Sequence, residues 1–87
     1  MIRTNNKYKI LVVDDEEKII ASVKNLFIDQ PEIEIAGATS AIAALELFEK
    51  HRHQFALVLM DYKLPDQSGA EVTKAILKIN PYQGRFF

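Results

Sequence analysis

The sequence predicts a parallel α/β domain, and three observations carry that expectation. Short apolar runs alternate three times with stripes at helical spacing, giving the order β-α-β-α-β-α. The run FALVLM, residues 55–60, has six apolar residues without a break, as in a strand buried on both faces. Eighty-seven residues make a single small domain, and no internal repeat, low-complexity tract or linker composition divides them. Strands joined through helices pair in parallel, because a hairpin connection is absent.

Each element has its own local reason. Tyr8 to Val13 is a short run rich in β-branched residues, which predicts the first strand. Ile19, Ile20, Val23, Leu26 and Phe27 fall on one face of a helix, with Pro31 expected to end it. Ile33 and Ile35 alternate with Glu32 and Glu34, so the second strand is expected at a half-exposed edge. Thr39 or Ser40 can cap a second helix striped by Ala41, Ala44, Leu45 and Phe48. Lys50, His51, Arg52 and His53 follow, where cations suit the helix dipole. A solvated helix end explains the two histidines better than metal ligation does. Ser68 and Glu71 form a capping-box pattern ahead of Val72, Ala75, Ile76 and Ile79, a third helix that Pro81 would close.

Composition excludes several function classes. A formal net charge of −1 and a pI near 6.1 give no electrostatic case for nucleic acid or for anionic lipid. The lack of cysteine rules out a disulfide framework and cysteine-based metal or redox chemistry. The start, MIRTNNKYK, is polar, and the apolar run from Ile10 to Val13 is too short for a secretory or membrane-spanning segment. A soluble cytoplasmic protein, with no membrane partner, is the expectation.

The chemistry-bearing residues are acidic. Asp14 and Asp15 end the first strand, and Asp61 ends the third. In open parallel sheets, ligands collect at the carboxyl ends of strands where the winding direction reverses. If the second and third strands flank the first, the reversal puts the three carboxylates in one pocket, on strands about 4.8 Å apart. Like charges that close disfavour full ionisation unless a cation joins them, and a hard oxygen-seeking ion such as Mg²⁺ suits such a site. Each stretch alone has a plainer explanation. Asp14 or Asp15 could cap the first helix, with Glu16 and Glu17 complementing its dipole, and Asp61 could form a turn before Pro65. Coincidence of both at the ends of two neighbouring buried strands favours a site.

ILVVDDEE followed by LVLMDYKLPDQSG resembles the receiver domain of two-component response regulators. An acidic pair ends the first strand, an aspartate ends the third, and Pro65 and Gly69 follow four and eight residues after Asp61. The resemblance runs from residue 8 to about 81. It implies a flavodoxin-like receiver fold with a three-stranded sheet of order 2-1-3 and three helices. It implies that Asp61 is the phosphoacceptor, charged by a sensor histidine kinase or phosphotransfer protein, and that the chain is not itself an enzyme. It implies a Mg²⁺ site of Asp15, Asp61 and the backbone carbonyl of Lys63, with Asp14 assisting through water. Pro65 and Gly69 would shape the loop after the acceptor. Gln67 stands where the family often has an apolar residue.

Two further strands follow the third helix in that family, one ending in a Ser or Thr that contacts the phosphoryl group and one in a Lys that pairs with it. The sequence stops at Phe87, where the first of these would begin, so a domain truncated after the third helix is expected. The third strand would then be an exposed apolar edge, able to pair with a second copy. That suggests an alternative: a degenerate receiver serving as a dimerisation or protein-binding module without phosphorylation. A hydrolase with Asp14 as nucleophile is disfavoured, because Asp14-Asp15-Glu16-Glu17-Lys18 fails the pattern DxDxT at its third and fifth positions.

Overall fold

A computed structural model of the chain describes residues 8–51, 55–61, 63–80 and 83. Strands β1 (Tyr8–Val13), β2 (Ile33–Ala38) and β3 (Phe55–Met60) form one parallel sheet in the order β2-β1-β3. Helices α1 (Glu17–Leu26), α2 (Ala41–Lys50) and α3 (Gly69–Ile79) connect and cover it. The element order, the sheet order and the bounds of β1 are those the sequence predicts.

Side-chain alternation along the strands divides the interior into two layers. Ile10 and Val12 of β1 face Ile20 of α1, joined by Val23, Phe27, Ile33, Ile35, Leu57 and Leu59. Leu11 and Val13 face the other way, into Phe48, Val58, Val72 and Ile76 beneath α2 and α3. The helix after β1 thus lies on one face and the helix after β2 on the other. That change of face is the reversal of winding, and it falls between β1 and β3.

β3 departs from a regular ladder at its start. Lys9 is paired with Phe55 but Ile10 with Leu57, so Ala56 is an extra, exposed residue. The irregularity turns Phe55 to the same face as Val58. There Phe55 stacks on Phe48, ring centroids 5.9 Å apart and planes 19° from parallel. The expectation of burial on both faces is met only in part: Phe55 and Val58 are buried, Leu57, Leu59 and Met60 are half-buried, and Ala56 is exposed.

Several local expectations are corrected. Helix α1 ends at Leu26, with the Phe27 N–H donating to the Lys24 carbonyl and the Ile28 N–H to the Asn25 carbonyl, well before Pro31. Its inward stripe is Ile20, which is buried, with Val23 and Phe27 half-buried; Ile19 and Leu26 are exposed. Each of those two lies one residue, about 100°, from the inward stripe, and a single helix face covers the sheet. His51 caps the end of α2 as a half-buried ring, edge-on to Phe55 at 5.9 Å, with Nδ1 3.4 Å from the Lys9 ammonium. Packing, and not only solvation, accounts for it. Arg52, His53, Pro81 and all of the tail except Gln83 lie outside the described residues. No described helix is long and apolar enough to cross a membrane.

Candidate functional site

The carboxyl end of the sheet is tied together by backbone hydrogen bonds just past the strands. The Asp14 N–H donates to the Ala38 carbonyl of β2 at 3.0 Å, and the Asp61 N–H donates to the Val13 carbonyl of β1 at 2.9 Å. Asp61 therefore leaves β3 directly beside the point where Asp14 leaves β1. Both residues are half-buried, at the lip of the sheet, while Asp15 is exposed.

Carboxylate oxygens of Asp14, Asp15 and Glu16 lie within 4.8 Å of one another, a spacing that could hold a cation. Hard anionic oxygens at this range match the donor preference of Mg²⁺. The Asp61 carboxylate stands outside that closest set. Its Oδ1 accepts from the Lys63 N–H at 3.2 Å, folding back over its own loop. Asp14 makes a similar short turn, its Oδ1 accepting from the Glu16 N–H at 2.9 Å. The residue at the N-cap of α1 is Glu16, with no side-chain cap bond. Neither Asp14 nor Asp15 occupies that position. Sequence reasoning assigned Glu16 to the helix dipole alone; its proximity to the aspartate pair adds it to the candidate ligands.

The loop after Asp61 is closed tightly on itself. Lys63 and Ser68 form an isolated antiparallel bridge, leaving Leu64, Pro65, Asp66 and Gln67 at the tip. Leu64 packs against the core, while Pro65 is exposed. Ser68 caps α3 through the expected box: its hydroxyl accepts from the Glu71 N–H at 3.2 Å, and the Glu71 carboxylate accepts from the Ser68 N–H at 3.3 Å. Gly69 then begins α3 against the Asp61 backbone. A methyl group there would collide with the Asp61 carbonyl oxygen and come within 3.0 Å of Met60 Cγ. What calls for glycine here is this close approach and not backbone conformation, since no described glycine has positive φ.

One residue of this loop escaped the sequence reading. Asp66 reaches across to the start of α2, accepting from the Ala41 N–H at 2.9 Å and the Ile42 N–H at 3.1 Å. Ser40 accepts from Ala43, so the three amides ahead of Ala44 are all satisfied. The partners lie 24 and 25 residues apart in sequence, beyond any capping pattern. The only local hint is that α2 has no acidic residue in its first turn.

The Ala41 amide, ahead of an opposing effect of desolvation and of further amides of Ile42, Asp66 and Gln67, holds the Asp66 carboxyl below its ordinary value of 3.8. A depressed folded-state pKa stabilises the fold above the unfolded carboxylate pKa, and the stabilisation is lost as pH falls through the lower folded value. Asp66→Asn should therefore melt lower than the parent near neutral pH, with the gap closing below about pH 3.8. Thermal melts of both proteins across this range check the sign; a gap that widens in acid would contradict it.

Residues 10–85 match the response regulator receiver domain family. A receiver domain from Clostridium thermocellum is 34% identical, with a TM-score of 0.80 over 90% of this chain and 61% of its own. The response regulator domain of Thermotoga maritima CheB is 28% identical, with a TM-score of 0.75 over 86% of this chain and 55% of its own. A protein-glutamate methylesterase/protein-glutamine glutaminase of Pyrococcus abyssi is 32% identical over 79 residues, which are 90% of this chain and 21% of that protein. The chain thus spans about a fifth of such methylesterases and about three fifths of the solved receivers. With the parallel 2-1-3 sheet and the acidic residues at its carboxyl end, these matches establish that the chain belongs to the response regulator receiver domain family.

Proposed function

We propose that this receiver is a cytoplasmic phosphoacceptor of a two-component phosphorelay, with Asp61 as the acceptor. Its donor is a phosphohistidine on a sensor kinase or phosphotransfer protein. A carboxylate oxygen of Asp61 attacks phosphorus, the P–N bond to the histidine breaks, the imidazole keeps the bonding pair, and Asp61 becomes an acyl phosphate. Asp14, Asp15, Asp61 and the Lys63 backbone carbonyl would hold Mg²⁺, with Glu16 near enough to assist. Bound there, the ion neutralises charge on the phosphoryl oxygens. Pro65 and Gly69 keep the loop and α3 in register with the acceptor. The observation that supports this reading most is the 2.9 Å bond from the Asp61 N–H to the carbonyl of Val13, the residue just before the aspartate pair.

A second reading rests on the outer edge of β3, which pairs with no strand among the described residues. Apolar strand edges attract further strands. On that reading the edge joins a second copy or a partner, and the acidic residues carry no phosphoryl chemistry.

One experiment separates the two. The protein is incubated with acetyl phosphate and with Mg²⁺ plus beryllofluoride, and followed by intact mass and sedimentation equilibrium. Phosphoryl incorporation that needs Mg²⁺ and vanishes in Asp61→Asn is the expected result. Incorporation persisting in Asp61→Asn would place the acceptor elsewhere. A dimer indifferent to Mg²⁺, with no incorporation, would replace the first reading by the second.

A further inference from the structure

The geometry points to Asp66 as a positioning residue that latches the acceptor loop to the start of α2. This inference rests on the phosphoacceptor reading of Asp61 and extends it to a residue outside the acidic cluster.

The loop from Asp61 to Gly69 is held at its two ends and its tip. At one end the Asp61 N–H is bonded to Val13, and at the other Gly69 abuts the Asp61 carbonyl. Between them the Lys63–Ser68 bridge makes the segment a closed hairpin. Among the described residues, Leu64 at its tip packs against the core, and Asp66 spans to the amides of Ala41 and Ile42. Lys63, whose carbonyl is the expected ion ligand, lies one residue before Leu64 and three before Asp66.

Those bonds complete a circuit around the floor of the site. Ala38 at the end of β2 is joined to Asp14, Val13 at the end of β1 is joined to Asp61, and Asp66 returns from the β3 side to Ala41, three residues past Ala38. The loops leaving all three strands are thereby locked to one another. The Asp66 carboxylate also supplies the negative charge that the first turn of α2 lacks. Committed to two amides, it is an acidic group near the site that is engaged elsewhere than on a cation.

Two consequences separate a latch from a simple helix cap. Loosening it should release Lys63 and Ser68 as well as α2. By reciprocity, an ion that orders the loop should tighten the Asp66 bonds to Ala41 and Ile42. Partners that orient metal ligands from outside the ligand set are typically worth about 10–100-fold in affinity, and the Asp66 effect is expected at the lower end, about tenfold.

The test compares the parent with Asp66→Ala, Asp66→Asn, Ser40→Ala and Asp61→Asn. Amide exchange at Ala41, Ile42, Lys63 and Ser68 is measured by NMR with and without Mg²⁺, and Mg²⁺ affinity is measured by titration. In Asp66→Ala all four amides should exchange faster and Mg²⁺ should bind about tenfold more weakly. Asp66→Asn, keeping one acceptor oxygen, should recover part of both effects. In the parent, Mg²⁺ should slow exchange at Ala41 and Ile42, and in Asp66→Ala it should not. Ser40→Ala weakens α2 without touching the loop, so it should leave Lys63 and Ser68 unchanged. Equal effects of Ser40→Ala and Asp66→Ala on the loop would overturn the latch in favour of general helix stability. Unchanged loop amides in Asp66→Ala would overturn it outright, and so would parent-like Mg²⁺ affinity in that variant. If the parent binds no Mg²⁺, or Asp61→Asn binds it equally, the phosphoacceptor reading fails while the four amides still decide whether Asp66 holds the loop. Asp66→Asn provides the same comparison should Asp66→Ala not fold.

Discussion

Phe48→Ala is expected to cost about 3–5 kcal/mol, the range for removing a fully buried aromatic ring from a core. Phe48 is 0% exposed, heads the fully buried side chains in volume, and lies in the α2 face that packs on the sheet. Its ring stacks on Phe55, whose other neighbour is the His51 ring. Removing it opens a cavity between β3 and α2 and takes away the surface on which the irregular start of β3 is seated. A chain of this length is expected to have only about 4–13 kcal/mol of stability in all, from about 0.05–0.15 kcal/mol per residue. The variant should therefore retain much less than the parent, and at the lower end of that range it would be largely unfolded. Urea denaturation followed by circular dichroism measures the change. A loss below about 1 kcal/mol would mean that Phe48 does not occupy this core position.

Gly69→Ala is the second large effect, and here two contributions oppose each other. Alanine is the better helix former, by about 1 kcal/mol in a helix interior and by less at this first position, so local propensity alone favours the variant. Against this stands the collision of the new methyl with the Asp61 carbonyl oxygen, a backbone atom fixed by the pairing of Asp61 with Val13. Overpacking of this kind costs about 1–3 kcal/mol, and backbone cannot rotate away as a side-chain tip can. The steric contribution should win. Relief requires α3 to retreat from the sheet or the end of β3 to shift, and either moves the Asp61–Lys63 segment. Lower stability together with weaker Mg²⁺ binding is the expected outcome, measured on the same samples by denaturation and titration. A more stable variant with parent-like Mg²⁺ affinity would show that the contact at Gly69 relaxes without cost.

Gly37 shows why the two glycines differ. A methyl there would meet Ile20 Cγ2 at 2.5 Å, which is also close, but Ile20 is a side chain on a helix covering the sheet. The neighbour at Gly69 is main chain at Asp61, just past the end of β3. The sequence marks both only as glycine.

Much of the architecture was legible because its causes are local. The run Tyr8–Val13, the alternation around Ile33 and Ile35, the Ser68–Glu71 box and the stripe Val72, Ala75, Ile76 and Ile79 are short-range patterns set by strand and helix periods. The errors arose where tertiary packing selects among local options. Ile19 and Leu26 satisfy a helical stripe, yet only one face of α1 meets the sheet. Proline after α1 suggested a stop, while the Phe27 cap ends the helix first. Ala56 sits inside an apolar run, but the pairing shift beside Lys9 and Ile10 turns it outward.

By itself the sequence determined the alternation of elements, the carboxylates at the ends of the first and third strands, and, through the spacing of Asp61, Pro65 and Gly69, the receiver resemblance. Periodicity and motif spacing are properties of neighbours along the chain, so they survive without coordinates. Only the tertiary structure decided that Glu16 joins the aspartate pair, that the Asp61 carboxylate turns toward Lys63, and that Gly69 is required by a main-chain oxygen eight residues before it. It alone brought Asp66 to the amides of Ala41 and Ile42. The physical reason is common to these cases: hydrogen bonds and steric contacts act over about 3–4 Å, and which groups come that close depends on how the strands and helices are packed.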